Sequence, residues 1–201
     1  MSVNEQPRVG TCSRSTGETA AQVSWNLDGS GSATVSTGVG FLDHMLTLLA
    51  YHGLFDLTTE VHGDLHVDAH HTVEDTGLAM GIALREALGD RSGIVRMAHA
   101  IVPMDEALAL VAVDLSGRPS CVLDLPLSSQ PLGSLPAEMV AHFLLSLAVE
   151  ARCNLHARLL AGENDHHKVE AVFKGLGRAL LAATRVDPRR SGRIPSTKGV
   201  L

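Results

Sequence analysis

Six histidines and two glutamates fall into two matched sets. His44 stands 26 residues before His70 in the run His70-His71-Thr72-Val73-Glu74, and His142 stands 24 residues before His166 in the run His166-His167-Lys168-Val169-Glu170. Each adjacent His pair has a Glu four residues after its first member. Imidazole together with carboxylate suits borderline divalent ions such as Mn, Fe, Co, Ni or Zn. Two such sets predict a pair of metal ions related by internal symmetry. Core packing is a poor alternative, because adjacent imidazoles buried without partners cost desolvation free energy.

Helix geometry divides the ligands. Residues i and i+4 share a helix face, whereas neighbours point about 100° apart. His70 and Glu74 are therefore expected to hold one ion together with His44, and His166 and Glu170 the other together with His142. His71 and His167 point elsewhere, and each is expected to reach across to the other half's ion. Three His and one Glu per ion leave a position open to water or substrate, as in catalytic rather than structural sites. His52, His62, His66, His99 and His156 lack this pattern and read as structural or surface histidines. His52 lies near the His44 helix and is kept as a candidate substrate contact.

The elements that must position these groups follow from periodicity. Residues 70–88 and 166–181 are Ala/Leu-rich, free of Pro, and apolar at three- and four-residue spacings, which predicts amphipathic helices. Asp68 and either Asn164 or Asp165 stand in front of them as N-caps. The segments around His44 and His142 parallel each other and also read as helices. Short β-branched or alternating runs predict strands at 8–16, 19–26, 32–37, 94–102, 107–114, 121–125 and 154–161, with a hairpin of 54–62 and 64–67 turning at Gly63. Residues 127–136, rich in Pro, Ser and Gly, read as an exposed connection. The expectation is an α+β chain, internally duplicated, with helices packed on one face of a mixed sheet in each half. It is read as a single domain over 1–201, made of repeats at about 8–93 and 94–195.

Composition narrows the class. No apolar run reaches the length of a membrane span, and the beginning of the sequence has no signal-peptide apolar region. Cys12, Cys121 and Cys153 are widely spaced and odd in number, so they read as free thiols, which favours the cytoplasm. A net charge of −6 argues against general nucleic-acid binding, and 3% aromatic residues offer few stacking platforms for single strands.

Six stretches resemble the imidazoleglycerol-phosphate dehydratase family: Gly38-Val39-Gly40-Phe41-Leu42-Asp43-His44-Met45-Leu46, His70-His71-Thr72-Val73-Glu74-Asp75, Val102-Pro103-Met104-Asp105-Glu106-Ala107-Leu108, Ser116-Gly117-Arg118-Pro119, the run from Asn164 to Lys174, and Ile194-Pro195-Ser196-Thr197-Lys198-Gly199. They cover nearly the whole chain in order. The resemblance implies a fold like ribosomal protein S5 domain 2. It also implies loss of water from imidazole glycerol phosphate to give imidazole acetol phosphate in histidine biosynthesis. The family uses two manganese ions per active site and no organic cofactor. Its members assemble as shells of twenty-four subunits, with metal sites completed between neighbouring chains, so His71 and His167 could serve a neighbouring chain's ion.

The implied chemistry is awkward, because the hydrogen removed is not next to a carbonyl. Two metals can each take one nitrogen of the substrate imidazole and hold the ring as imidazolate. Ring electron density then expels the adjacent hydroxyl, the next C–H becomes acidic, and an enol forms and ketonises. One positioned acid/base group must move these protons. Glu18, in a segment resembling the family's N-terminal motif, is the expected carrier and substrate contact. Asp105 and Glu106 are the other acidic candidates. Arg96, Arg118, Lys174, Ser196 and Lys198 are expected to bind the phosphate, arginine as a fork and lysine as a point charge. Arg189, Arg190 and Arg193 read as solvated charge. A different di-metal hydrolase and a non-enzymatic metal-binding or interaction protein are the competing functions.

Overall fold

Period-two burial defines the central strands. In β2 (Thr19–Asn26), Thr19, Ala21, Val23 and Trp25 are buried while the intervening side chains are exposed or half-exposed, and β6 (Ala107–Asp114) repeats the pattern. The structure, a computed structural model, describes residues 7–190 and 192–201. The first repeat runs β1 (Val9–Ser15), β2, β3 (Ala33–Ser36), α1 (Gly40–Gly53), β4 (Asp56–Gly63) and α2 (His70–Leu88). The second runs β5 (Met97–Met104), β6, β7 (Ser120–Asp124), α3 (Glu138–Glu150), β8 (Asn154–Ala161) and α4 (Asp165–Thr184).

Each repeat builds one four-stranded mixed sheet. The strand orders are β1-β2-β4-β3 and β5-β6-β8-β7. β3 lies parallel to β4, with α1 as the crossover, and β7 lies parallel to β8, with α3 as the crossover. The other pairings are antiparallel. The α+β class, the duplication and the helices on one face of each sheet all agree with the sequence reading.

The two repeats meet helix to helix. α2 packs on β1 and β2 on one side and on α3 on the other; α4 packs on β5 and β6 and on α1. Equivalent glycines permit both cross-repeat approaches. A Cβ at Gly81 would lie 2.6 Å from the Leu147 carbonyl oxygen, and one at Gly177 would lie 2.5 Å from that of Leu49. Each glycine follows the first histidine of its pair by 11 residues, and each facing leucine follows its lone histidine by 5. The register that aligns the repeats in sequence is therefore the register in which they pack. Phe143 of α3 and Phe173 of α4 stack at 5.6 Å in the shared core.

Three sequence expectations change. Residues 64–67 form a turn closed by Val67 N–H to the Asp64 carbonyl, not the second strand of a hairpin. Gly63 ends β4 against α2, where a Cβ would collide with Thr72 Oγ1. β5 begins at Met97 rather than 94, because Arg96 takes φ 81° and interrupts the extended run. Residues 127–136 carry no helix or strand, but Leu132 and Leu135 are buried and pair in a bridge around Gly133 at φ 60°, so the connection is anchored rather than exposed throughout.

Candidate metal centre

The ligand helices begin where capping fixes their first turns. Asn164, the N-cap of α4, accepts from the His166 N–H on Oδ1 at 2.9 Å; the N-cap of α2 is Ala69 rather than the expected Asp68, although Asp68 Oδ1 accepts from the His70 N–H at 2.7 Å. The i, i+4 spacing then brings His166 Nε2 to 3.0 Å from Glu170 Oε1. The lone histidines join crosswise, which corrects the sequence pairing. His44 Nε2 lies 2.9 Å from Glu170 Oε1, and His142 Nε2 lies 3.4 Å from Glu74 Oε1. His44 belongs with His166 and Glu170, and His142 with His70 and Glu74; in each group the donor atoms lie within 4.8 Å of one another. The reason is the packing of α1 on α4 and α2 on α3. Sequence proximity favoured pairing within a repeat, while the cores pair across repeats.

Both groups suit a divalent cation. Each offers two imidazoles and one carboxylate, a donor set typical of borderline metals. His142 Nε2 is buried without a hydrogen-bond partner, aimed at Glu74. A polar atom left in that state costs free energy that a bound cation would recover. At the other group, two imidazole nitrogens converge on one oxygen of Glu170.

His71 and His167 do not reach the other half's group within the chain. Each is held instead by a carboxylate on its Nδ1: Asp64 Oδ2 at 3.0 Å for His71 and Glu106 Oε2 at 2.7 Å for His167. An Nδ1–H donated to a carboxylate fixes the ring and leaves Nε2 as the free electron pair, the usual state of a metal-bound histidine. The hydrogen bonds that the rings donate to Asp64 and Glu106 raise the pKa of His71 and His167 respectively, and the hydrogen bond from His167 holds Glu106 down to about 2. Asp64 was not singled out in the sequence. It sits in a turn 7 residues before His71, where no helical spacing marks it.

The two glutamates differ. Burial opposes ionisation of Glu170, but hydrogen bonds from Lys174, His44 and His166 outweigh it and hold its pKa at about 2. Lys174 Nζ stands 2.6 Å from Glu170 Oε2. Lys174, expected from the sequence as a phosphate ligand, thus stands beside the group that contains Glu170. His52, in the last turn of α1, is half-buried outside both groups; desolvation, then Lys174 and Arg178, lower its pKa.

Glu18 sits in the turn between β1 and β2, exposed, with a carboxylate oxygen 3.9 Å from His71 Nε2. That turn is pinned to α2. Asp75 accepts from Thr19 Oγ1 and from Arg14 Nε, the latter at 3.0 Å. Asp105 stands at the matching place in the second repeat, 3.7 Å from His167 Nε2, with its backbone at φ 47°.

Arg96 and Ser196 line one hollow of about 630 Å³ together with Pro195, Thr197, Arg190 and Arg193. The left-handed backbone of Arg96, which costs about 1–2 kcal/mol for a residue with a Cβ, is held by its side chain. Nε and Nη2 donate to Asp114 at 2.7 and 3.0 Å, and Nη1 donates to the Pro195 carbonyl at 2.8 Å. Arg190 and Arg193, read from sequence as solvated charge, face the same hollow. Arg118 Nη1 donates to the Ser116 carbonyl at 3.4 Å, and the Lys198 N–H donates to Ser196 Oγ at 3.2 Å.

Comparison with known proteins identifies the family. The family model described as Imidazoleglycerol-phosphate dehydratase matches residues 37–180. The imidazoleglycerol-phosphate dehydratase of Chloroflexus aggregans is 60% identical over 194 residues, covering 96% of this chain and 95% of that protein. That of Chloroflexus aurantiacus is 58% identical over 200 residues, covering 100% and 98%. Among solved structures, imidazoleglycerol-phosphate dehydratase from Staphylococcus aureus superposes with TM-score 0.80 at 36% identity, covering 89% of this chain and 99% of that one. The Pyrococcus furiosus enzyme, in complex with (S)-C348, superposes with TM-score 0.82 at 39% identity, covering 94% and 100%.

Proposed function

We propose a two-metal dehydration for this chain, which belongs to the imidazoleglycerol-phosphate dehydratase family and is a hydro-lyase of histidine biosynthesis acting on a small-molecule substrate. The reaction is loss of water from D-erythro-imidazole glycerol phosphate to give imidazole acetol phosphate. The observation that carries the metal reading is the crosswise pair of groups, each with two imidazoles and a carboxylate within 4.8 Å.

His44, His166 and Glu170 would hold one ion, and His70, Glu74 and His142 the other. His71 and His167, with Nδ1 tied to Asp64 and Glu106, offer Nε2 to ions at neighbouring chains, which makes an assembly of this chain, of twenty-four subunits by resemblance, part of the proposal. Two manganese ions, when bound, supply Lewis acidity that stabilises the substrate ring as imidazolate. Glu18, beside His71, takes and returns the proton at the substrate carbons. Arg96, Arg118, Ser196 and Lys198 orient the phosphate, and Lys174 and His52 stand at the α1–α4 end. The chain is read as one domain of two repeats acting in the cytoplasm; no helix among the described residues is long and apolar enough to cross a membrane.

Incubation of metal-free protein with manganese and imidazole glycerol phosphate tests the reading. Imidazole acetol phosphate should form with manganese and not without it. Hydrolysis of phosphate esters with no acetol product would refute it in favour of a di-metal hydrolase.

A further inference from the structure

The two metal-binding groups occupy equivalent places in the two repeats, so each serves as a control for the other. They share two histidines and one glutamate, and their helices pack in the same register. They differ at the fourth residue after the glutamate, which is Leu78 in the first repeat and Lys174 in the second. The Lys174 ammonium stands 2.6 Å from Glu170 Oε2, and the two side chains are 15% and 8% exposed. Its other contact is Met104 Sδ at 3.0 Å. Glu170 Oε1 already faces His44 and His166. Glu74 is 38% exposed, and among the described residues its ion-pair partner is His142, at 3.4 Å.

Resting on the reading that these groups hold divalent ions, we propose that the two sites bind metal with unequal affinity. The His70–Glu74–His142 site fills first. An ion enters the His44–His166–Glu170 site against Lys174, a resident ammonium that already holds one carboxylate oxygen. The protein ligands of the first site sum to one negative charge, whereas Glu170 and Lys174 together sum to zero. The number of charged ligands is a main determinant of affinity for a divalent cation. Burial does not reverse the order. A low local dielectric strengthens the carboxylate's attraction for the ion, and it strengthens the ammonium's repulsion of the ion as well. Charge at a neighbour that contacts a ligand typically changes metal affinity by about 10–100-fold.

Titration of metal-free full-length protein with manganese tests this, with free aqueous manganese read by its electron paramagnetic resonance signal. The parent protein should take up manganese in two steps of equal stoichiometry, separated by at least about tenfold in affinity. Glu74→Gln should remove the tight step and Glu170→Gln the weak one. Lys174→Met should tighten the weak step by about 10–100-fold, while Lys174→Arg, which keeps the cation, should leave two steps. Leu78→Lys carries the ammonium to the other site and should weaken the tight step, so the test does not depend on Lys174→Met folding. A single step in the parent, or both steps unchanged in either Lys174→Met or Leu78→Lys, overturns the proposal while leaving two-metal binding intact. Failure to bind any manganese overturns both.

Discussion

His44 Nε2 lies 2.9 Å from Glu170 Oε1, across 126 residues of sequence and across the boundary between the two repeats. The same crossing joins His142 to Glu74. Neither candidate group can therefore assemble within one repeat. Metal content should reveal this grouping. His44→Ala and Glu170→Gln should each lose the same ion, and their double variant should lose no more than either alone. His44→Ala with Glu74→Gln should lose both. Residues sharing one partner are non-additive, and separate sites add. Elemental analysis of the dialysed variants decides the matter; additive losses from His44→Ala and Glu170→Gln would break the grouping.

His71 and His167 give a prediction about assembly. Their rings are oriented by Asp64 and Glu106, yet their Nε2 atoms lie outside both metal-binding groups. If those atoms serve neighbouring chains, metal binds the assembled state in preference to separate chains and favours it by mass action. Chelation should shift sizing chromatography to smaller species, and manganese should restore the large one. His71→Ala or His167→Ala should lose metal and activity together and stay small with manganese present. An unchanged elution volume with metal verified absent would count against interfacial sites.

Much of this was legible in the sequence, for definite reasons. The i, i+4 His–Glu spacing is set by helix geometry, so which residues share a face followed without tertiary information. Strands β2, β6 and β8 kept the bounds expected from their alternation. Which lone histidine meets which pair was not legible, because it depends on α1 meeting α4 and α2 meeting α3. That choice is written in Gly81 and Gly177, whose meaning emerges only when the facing carbonyls are known. Arg96 interrupts its strand through a left-handed backbone that its sequence neighbours do not announce. Asp64 acts through a contact that no motif spacing encodes, whereas the Glu170–Lys174 pair lies at the same i, i+4 spacing and was open to the same helix geometry.

Burial of the cysteines sets an alkaline limit on stability. Desolvation pushes the Cys153 thiol from 9.0 up to about 12 and the Cys121 thiol up to about 11. A pKa raised in the folded state means that the unfolded chain releases its proton first as pH rises. The contribution to stability is then fully present below about pH 9, declines above it, and is lost by about pH 12. Denaturant midpoints should fall between pH 8.5 and pH 10.5, less steeply in Cys153→Ala than in the parent. The thiolate is the reactive form, so alkylation of the folded protein at pH 8 should be slow and should accelerate on unfolding. An identical pH slope in Cys153→Ala would show that this thiol does not contribute.

Glu18 carries the sharpest test of the proposed chemistry. Its turn is anchored by Asp75 through Thr19 and Arg14, so the side chain is exposed but its backbone is fixed relative to the metal-binding helix. Glu18→Gln keeps the shape and much of the hydrogen-bonding capacity but cannot accept a proton. It lies outside both metal-binding groups, so metal content and assembly should survive. On the proposed reading substrate should still bind, because the ions would hold the ring and the Arg96 hollow would take the phosphate. Turnover should fall by roughly the 10²–10⁴-fold associated with a general acid/base. The expected signature is a large loss in kcat with KM little changed, supported by direct substrate binding because KM is not always a dissociation constant. If Glu18→Gln retains near-parental kcat, Glu18 is not the proton carrier. The role then passes to Asp105, which stands at the matching place in the second repeat, 3.7 Å from His167 Nε2.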